Sequence, residues 1–380
     1  MSLLSVVPRA AEAPFRELVE AHGSPLLVLD CEVLRQRYRE LQSALPGVEL
    51  FYAIKSMSLL PALRTLRDEG ASFDVATSGE IALLRQVGVG AERTIHTHPI
   101  KRDQDIRDAL DFGCRTFVVD NLDELHKFTP YAQQAELLLR VSFRGKDASC
   151  DLSRKFGCGV PKVLILLEEA ARLGIRVKGL SFHVGSQSTS PEAHVEAIDA
   201  LLPFFTDPTV AGTEHLAVLD IGGGFPANYR GDTPELARYC APIMQALAAY
   251  PERVRVIAEP GRVLSAPCIT SVSTIVGRAL RGDEHWYYLD DGVYGGYSGT
   301  IFDHAAYPMT VFSDDPQRHD SVLAGPTCDS IDVVLETSPM PPLAIGDLLV
   351  GRLMGAYSIA HATEFNSIPK PKLVVTGERA

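Results

Sequence analysis

Residues 48–75 read VELFYAIKSMSLLPALRTLRDEGASFDV, and this stretch decides the fold. The apolar run 48–54 predicts a strand, the amphipathic run 59–69 predicts a helix that ends at Gly70, and the run 72–75 predicts a second strand. A strand, a helix and a strand in this order favour two parallel strands joined by a helical crossover. The stretch therefore predicts an α/β protein.

The same alternation continues from residue 35 to residue 265. Six more short apolar runs follow, separated by longer helical stretches, at 94–97, 116–119, 136–142, 177–184, 218–221 and 254–258. With the first two runs they make eight strands, the number in a (β/α)₈ barrel, whose usual size is about 250 residues. An open, doubly wound parallel sheet would show the same pattern and stays the structural alternative.

After residue 262 the pattern changes to β-like runs divided by Gly, Pro and Asp. These runs are 269–276, 286–289, 321–324, 347–350 and 372–375, and they predict a mainly antiparallel β-domain. A further strand at 25–29 fits either part by its pattern. The predicted organisation is an N-terminal segment of residues 1–34 that packs with the β-domain, a barrel of residues 35–265, and a C-terminal β-domain of residues 266–380.

The charge balance and the cysteines limit the class of protein. The 380 residues include 36 basic and 48 acidic side chains, for a net charge of −12, so we expect neither a nucleic-acid partner nor an anionic membrane. Seven Cys without a C-x-x-C pair or a Cys/His metal spacing favour a reduced, cytoplasmic protein without a metal site. No apolar run approaches the roughly 18 residues of a membrane helix, and we expect no signal peptide.

Chemistry-bearing residues stand at the ends of four predicted strands, where the active site of such a barrel lies. Lys55 follows the first strand and His183 ends the sixth. Three glycines, 222–224, follow the seventh strand, and Glu259 and Arg262 follow the eighth. Taken singly, they would be a solvated lysine, a structural histidine, a tight turn and a surface ion pair.

Together these residues are what a pyridoxal phosphate site needs. A lysine amine can hold the cofactor's aldehyde as a Schiff base. A carboxylate such as Glu259 keeps the pyridine nitrogen protonated, so that the ring accepts electrons. Glycine N–H groups and an arginine suit a phosphate, and a histidine ring can stack on the cofactor. The combination predicts an enzyme that uses pyridoxal 5'-phosphate.

Motifs along nearly the whole chain resemble the fold-type III pyridoxal phosphate decarboxylases, the alanine-racemase-like group of ornithine, diaminopimelate and arginine decarboxylases. In the barrel these motifs are FYAIK (51–55), SFD (72–74), LSRKFG (152–157), SFHVGS (181–186), GGGFP (222–226) and EPGR (259–262). Beyond it they are DGVYG (291–295), DH (303–304), GPTCDS (325–330) and GAY (355–357). The resemblance implies a carboxy-lyase with an alanine-racemase-like barrel and a C-terminal β-domain.

The resemblance also implies roles for the matched residues around the cofactor. Lys55 would form the Schiff base, Glu259 would bind the pyridine nitrogen, and His183 would stack on the ring. Asp74 would support Lys55, in part through Arg140. The further residues implied to contact the cofactor, mainly its phosphate, are Ser186, Gly223, Gly224, Gly261, Arg262 and Tyr357.

In this family two subunits pair head to tail, which implies a homodimer with shared active sites. Cys328 and Asp329 would enter the partner's site, where Cys328 would donate a proton to the carbanion left by loss of CO₂. A buried structural cysteine is the ordinary alternative for Cys328. Asp303 and Asp329, together with Tyr294, would bind the distal amine of the substrate.

The GPTCDS motif resembles the ornithine decarboxylase form, whereas diaminopimelate enzymes usually carry Glu after the Cys. Residues 303–307 also lack the Arg that a distal carboxylate would need. We therefore expect decarboxylation of L-ornithine to putrescine, as in polyamine biosynthesis. The alternatives are a larger amine-bearing intermediate of siderophore or other secondary-metabolite biosynthesis, and diaminopimelate. Because Lys55, Glu259 and Cys328 are all present, a non-catalytic regulator resembling an antizyme inhibitor is disfavoured.

Three segments depart from the family's pattern. They are SMSL at 56–59, HTHP at 96–99 in place of an apolar-Ala-Asn-Pro pattern, and FNSI at 365–368. We expect these segments to flank the cofactor and the substrate mouth.

Overall fold

The computed structural model describes residues 3–143, 148–150, 153–231 and 233–379, so Leu152 of the LSRKFG motif lies outside the described residues. The chain forms two compact units. One comprises residues 35–226 and 234–263, and the other comprises residues 1–34, 227–233 and 264–380. The domain boundaries that we inferred from the sequence stay a prediction.

In chain order the strands of the described residues are β1 Leu4–Val7, β2 Leu26–Asp30, β3 Glu49–Ala53, β4 Ser72–Val75, β5 Thr94–His96, β6 Thr116–Val119, β7 Glu136–Val141, β8 Ala148–Cys150, β9 Arg176–Phe182, β10 Ser186–Ser188, β11 Val218–Asp220, β12 Arg255–Ala258, β13 Ile269–Arg281, β14 Glu284–Leu289, β15 Met309–Phe312, β16 His319–Ala324, β17 Val333–Met340, β18 Leu348–Gly351 and β19 Lys372–Thr376.

The α-helices of the same residues are α1 Ala13–His22, α2 Cys31–Ala44, α3 Leu60–Asp68, α4 Ser78–Val87, α5 Asp103–Phe112, α6 Leu122–Lys127, α7 Val163–Arg172, α8 Glu192–Leu201, α9 Pro203–Thr206, α10 Leu236–Leu247, α11 Arg262–Ser265 and α12 Gly299–Phe302.

Eight strands form a closed barrel in the order β3, β4, β5, β6, β7, β9, β11 and β12. All neighbouring strands are parallel, and the pairing of β12 with β3 closes the ring. This confirms the predicted (β/α)₈ barrel, and the open sheet is wrong. One buried cluster takes an apolar residue from each of six strands around the ring: Phe51, Ile95, Val118, Leu138, Val218 and Ile257. Such residues can meet only inside the ring, so the barrel is a filled core.

The barrel elements lie close to their predicted positions. The strands Ser72–Val75 and Thr116–Val119 have the predicted bounds. The predicted strand 177–184 instead ends at Phe182. His183 leaves the strand because its ring Nδ1 accepts a hydrogen bond, 3.0 Å long, from the backbone N–H of Gly185.

The other unit contains a mixed sheet built around β13. Strands β14, β18 and β2 pair antiparallel with β13, and β15–β18 and β16–β17 are antiparallel as well. The pairs β14–β16, β1–β15 and β19–β2 are parallel. The sheet is therefore mostly antiparallel, as predicted. Its strand β2 is the run predicted at 25–29, and it pairs with β13 and β19 of the same sheet.

None of the helices in the described part of the chain is both long and apolar enough to cross a membrane.

Gly179 in β9 leaves no room for a side chain, and we expect Gly179→Ala to destabilise the barrel. An added Cβ would lie 2.1 Å from the carbonyl oxygen of Val218 on β11. Because that neighbour is backbone within a strand, it cannot move without disturbing the ladder. Overpacking of this kind costs about 1–3 kcal/mol of the free energy of unfolding.

Urea denaturation measures the effect, with Gly159→Ala as the matched control. A Cβ on Gly159 would meet its nearest atom, Cδ of Pro161, at 3.8 Å, so the control should change the stability little. Equal stabilities of the two variants would contradict the packing argument.

Candidate active site

Lys55 and Asp74 meet at the C-terminal ends of neighbouring strands. Ala53 of β3 pairs in register with Asp74 of β4, and Lys55 follows in the short 3₁₀ turn Ile54–Ser56. The Lys55 Nζ donates to Asp74 Oδ2 at 3.1 Å. The Asp74 side chain is 1 % exposed and that of Lys55 is 42 % exposed. A buried carboxylate therefore holds an accessible amine at the mouth of the barrel.

Asp74 has a second partner that the sequence analysis missed. The hydroxyl of Thr97, in the loop after β5, donates to Asp74 Oδ1 at 2.5 Å. Thr97 stands in the segment 96–99, which departs from the family's pattern. Of the other residues in that segment, His96 is buried against Phe117, with no hydrogen bond to its ring nitrogens within the described residues. Because Asp74 pairs in register with Ile95, the next residue, His96, lies on the opposite face of the sheet from Asp74.

Glycines 222–224 follow β11 and lie against neighbouring backbone. A Cβ on Gly222, Gly223 or Gly224 would lie 2.1, 2.7 or 2.6 Å from the carbonyl oxygens of Phe182, Glu259 and Gly185, respectively. Gly222 and Gly224 also have φ values of +65° and +97°, which favour glycine. Only glycine fits this turn, so the backbone N–H groups stand at its surface without side chains over them.

A buried cation lies next to this turn. The segment 184–188, which includes β10, packs on Gly224, and Ser188 N–H donates to the Gly224 carbonyl at 3.0 Å. In the same segment Ser186 Oγ accepts hydrogen bonds from Arg262 Nε at 3.3 Å and Nη2 at 3.1 Å. A hydroxyl, a guanidinium that is 6 % exposed and a glycine turn are donors suited to a phosphate.

His183 places a neutral ring beside the glycines. Burial, and after it the charges of Arg140 and Lys55, hold the pKa of His183 well below its usual value. Because Nδ1 accepts the N–H of Gly185, the proton of the neutral ring is on Nε2. Nε2 lies 3.2 Å from the position that a Cβ on Gly223 would take. The ring therefore lies beside the glycine turn at this end of the barrel.

Two carboxyl groups are buried behind the glycines. Burial, with the charge of Glu259 next, raises the pKa of Asp220 well above its usual value, and Asp220 Oδ1 accepts the N–H of Gly222 at 2.9 Å. Burial and then the charge of Asp74 raise the pKa of Glu259, while Lys55 lowers it. A carboxyl group in this position can serve a cationic ring nitrogen, whose charge would favour the ionised form of Glu259.

Arg140 lies on β7 among these acids. Burial lowers its pKa, and the carboxyl groups of Glu259 and Asp120 oppose that shift. Its guanidinium lies 5.4 Å from the ring centre of Phe156. The hydrogen bonds to Asp74 within the described residues come from Lys55 and Thr97, so support of Asp74 by Arg140 stays a prediction.

Five of the predicted site residues lie in the second unit, and three of them are close together. Tyr294 OH donates to Asp329 Oδ2 at 2.5 Å, which lowers the pKa of Asp329 and raises that of Tyr294 to about 12. The ring of Phe365 stacks on Tyr294 at 4.6 Å. The N–H of the exposed Cys328 donates to Asn366 Oδ1 at 3.1 Å. The segment 365–368, which departs from the family's pattern, thus adjoins Cys328 and Asp329.

The remaining predicted residues of this unit are Asp303 and Tyr357. Asp303 follows α12 and is half-buried. Tyr357 has a φ of +59°, and its ring stacks on His361 at 5.9 Å. A positive φ is uncommon for a tyrosine, and such backbone strain is typical of functional sites.

Comparison with known proteins gives consistent results. A family model described as "Pyridoxal-dependent decarboxylase, pyridoxal binding domain" matches residues 31–266. The lysine/ornithine decarboxylase of Selenomonas ruminantium is 34 % identical over 359 residues, covering 94 % of this chain and 91 % of that protein. The ornithine decarboxylase of Mus musculus is 35 % identical over 364 residues, covering 90 % of this chain and 78 % of that protein.

Solved structures resemble the whole chain. Two structures of the lysine/ornithine decarboxylase from Vibrio vulnificus, one with putrescine and one with cadaverine, are 49 % and 50 % identical, with a TM-score of 0.92 for each. Each covers 98 % of this chain and 100 % of the other chain. The structure of SrLDC with PLP and cadaverine is 32 % identical, with a TM-score of 0.90 over 97 % of this chain and 94 % of that one.

We expect Asp220→Asn to stabilise the cofactor-free protein more at pH 8 than at pH 5. An unfolded aspartate loses its proton at about pH 3.9, whereas the raised pKa of Asp220 keeps the proton in the folded state. The folded state then holds more protons, so the contribution of Asp220 lowers the free energy of unfolding as the pH rises above that value. Asn keeps the oxygen that accepts the N–H of Gly222 and does not titrate.

Urea denaturation at the two pH values measures this difference. Asp320→Asn, which replaces an exposed carboxyl group on β16, is the control. A stability gain for Asp220→Asn that is the same at both pH values would show that Asp220 does not keep its proton.

Proposed function

Because the chain belongs to the pyridoxal-dependent decarboxylases, we propose that it decarboxylates L-ornithine to putrescine. The chain is a pyridoxal phosphate-dependent carboxy-lyase that acts on basic amino acids. The observation that carries the proposal of a distal amine is the Asp329 carboxylate, which the Tyr294 hydrogen bond favours in its ionised form. An ionised carboxylate is the partner that a side-chain ammonium needs.

When bound, pyridoxal phosphate supplies a ring that accepts the electron pair left by CO₂. In our proposal Lys55 holds the aldehyde through Nζ. Asp74 fixes the direction of that amine, because Thr97 holds its other oxygen. Glu259 would hold the proton on the ring nitrogen, and its burial would keep water from competing for this contact.

The proposed phosphate contacts are the donors around the glycine turn. Ser186 and Arg262 are already joined by hydrogen bonds, and Gly223 and Gly224 offer backbone N–H groups. Gly261 allows the chain after Glu259 to pass close to Ser56, since an added Cβ would lie 3.1 Å from Ser56 Cβ. The hydroxyl of Tyr357 would be a further donor. His183 would stack on the ring, and Arg140 would add positive charge near Glu259.

We further propose a homodimer in which Cys328 and Asp329 serve the partner's site. Next to them the second unit exposes two large apolar side chains: Ile331, whose N–H donates to Asp329, is 51 % exposed, and Phe365, which stacks on Tyr294, is 39 % exposed. Exposed apolar residues of this kind are typical of protein–protein interfaces. In that arrangement the Cys328 thiol would deliver a proton to the α-carbon after CO₂ has left. Asp303, Asp329 and Tyr294 would bind the distal amine.

Lysine is the second candidate substrate. The Selenomonas and Vibrio relatives are named lysine/ornithine decarboxylases, and the Vibrio protein was solved with both putrescine and cadaverine. Larger amine-bearing intermediates and diaminopimelate rank below both. A distal carboxylate of diaminopimelate would face Asp329, which disfavours it.

A substrate panel tests the proposal. We expect ornithine and lysine to exceed diaminopimelate in kcat/KM by more than tenfold, about 1.4 kcal/mol in transition-state energy. Asp329→Asn should raise KM for both amines at least about tenfold, since it removes a charge-assisted hydrogen bond. CO₂ release from each amino acid measures these rates.

Asp320→Ala, which removes an exposed carboxyl group from the same unit, should leave the constants unchanged. Preference for diaminopimelate would show that the distal-amine reading of Asp329 is wrong. A higher kcat/KM for a larger amine-bearing amino acid would show that ornithine is not the preferred substrate.

The shared-site proposal predicts complementation between two inactive variants. Lys55→Ala and Cys328→Ala chains should each lose most activity alone. If each site takes Lys55 from one chain and Cys328 from the other, random mixing restores up to about a quarter of the sites, because half of the dimers are mixed and one of their two sites is intact.

Activity after mixing, with subunit exchange followed by native mass spectrometry, measures the recovery. Complete exchange without recovered activity would mean that each site is built from one chain.

A further inference from the structure

Three consecutive carbonyl groups in the turn 222–224 each accept a hydrogen bond from the surrounding structure. Glu259 N–H donates to the first at 2.8 Å, His194 Nε2 to the second at 3.0 Å and Ser188 N–H to the third at 3.0 Å. In a trans peptide the C=O and the following N–H point in opposite directions. The N–H groups of residues 223–225 are therefore directed away from these three donors.

The N–H groups of Gly223 and Gly224 are donors without an acceptor. Within the described part of the chain, no hydrogen bond engages either of them. Buried backbone N–H groups are nearly always satisfied, so a pair of free ones in a glycine turn indicates an anionic ligand. Arg262 and Ser186 supply charge and a hydroxyl to the same place.

His194 is the one side chain among the three donors that fix the turn. The other two are backbone groups, which almost any residue could supply. His194 lies on α8, is fully buried and stacks on Phe225 with ring centres 5.1 Å apart. Burial lowers the pKa of His194 to about 4, so its ring is neutral at neutral pH. With the proton on Nε2, the ring donates to the Gly223 carbonyl.

The side chain of Tyr239 packs against the same ring, with the two ring centres 6.2 Å apart. Its hydroxyl lies 3.5 Å from His194 Nδ1 and donates its proton to the carbonyl of Ser188 at 3.0 Å. Ser188 in turn holds the Gly224 carbonyl. Tyr239 thus links the two donors that act on Gly223 and Gly224.

We propose that His194 is a positioning residue for the cofactor's phosphate: it holds the Gly223 carbonyl so that the N–H of Gly224 points at the phosphate. This inference rests on the proposed phosphate site. A buried histidine could also donate to a carbonyl only to satisfy its own nitrogen. The two roles differ in one respect, because a positioning role affects ligands with a phosphate and spares those without one.

Binding of two ligands to the cofactor-free protein separates these roles. Pyridoxal 5'-phosphate and pyridoxal share the ring and the aldehyde, and only the first has the phosphate. The wild type should prefer pyridoxal phosphate strongly. His194→Phe keeps an aromatic ring against Phe225 but removes the donor, and it should lose at least about tenfold of that preference while binding pyridoxal within about twofold of the wild type. Absorbance titration measures both dissociation constants.

Two further variants support the test if His194→Phe does not fold. A glutamine amide nitrogen can take the position of Nε2, whereas that of asparagine is too short to reach it. His194→Gln should therefore keep the preference and His194→Asn should lose it. The control is His96→Phe, at another fully buried barrel histidine, whose ring nitrogens have no hydrogen bond within the described residues. It should leave both constants unchanged.

The outcomes are distinct. Equal weakening of both ligands in the phenylalanine and asparagine variants, or an unchanged preference in both, overturns the role of His194. A wild type that binds pyridoxal as tightly as pyridoxal phosphate overturns the phosphate site itself, and the positioning role with it.

Discussion

The pairing of β12 with β3 closes the barrel, and the arrangement of the site depends on it. Ile257 and Ala258 pair with Glu49 and Leu50, and the N–H of Ala53 donates to the carbonyl of Pro260 at 3.1 Å. These contacts join segments about two hundred positions apart in the chain. Without them, residues after β12 would have no fixed relation to residues after β3. Because of these contacts, the buried carboxyl group of Glu259 and the amine of Lys55 lie at the same edge of one sheet.

Burying ionisable groups is the main energetic cost of building this end of the barrel. Burial raises the pKa of Asp220 and Glu259 and lowers that of Arg140, so desolvation works against the charged forms of these three groups. The barrel supplies opposite charges in a ring: Lys55 and Arg140 lower the pKa of Glu259, and the carboxyl groups raise that of Arg140. The charges of the site thus partly neutralise one another, and a cationic ring would neutralise the remaining negative charge.

The sequence predicted the barrel because eight apolar runs at regular spacing allow few other folds. It also singled out Lys55, His183 and Glu259 as candidate site residues, since each stands at the end of a predicted strand. It could not find the Thr97–Asp74 or His194–Gly223 hydrogen bonds, which depend on strand register and helix packing. The strands β15 and β17 were also missed. Strand β17 includes Glu336, Thr337, Ser338 and Pro339, whose polar and proline residues are typical of a loop. They form a strand because they lie along β16.

Strand β2 has a consequence for the order of folding during synthesis. It lies between β13 and β19, so its two neighbours leave the ribosome about 240 and 345 residues after it. The barrel strands meet neighbours that are close in the chain, with the exception of β12 and β3, and such local contacts form early. The apolar run Leu26–Asp30 must therefore stay unpaired while the barrel is made. During that time the nascent chain exposes an unpaired apolar strand. Such a strand can bind chaperones or pair wrongly with a strand of another chain.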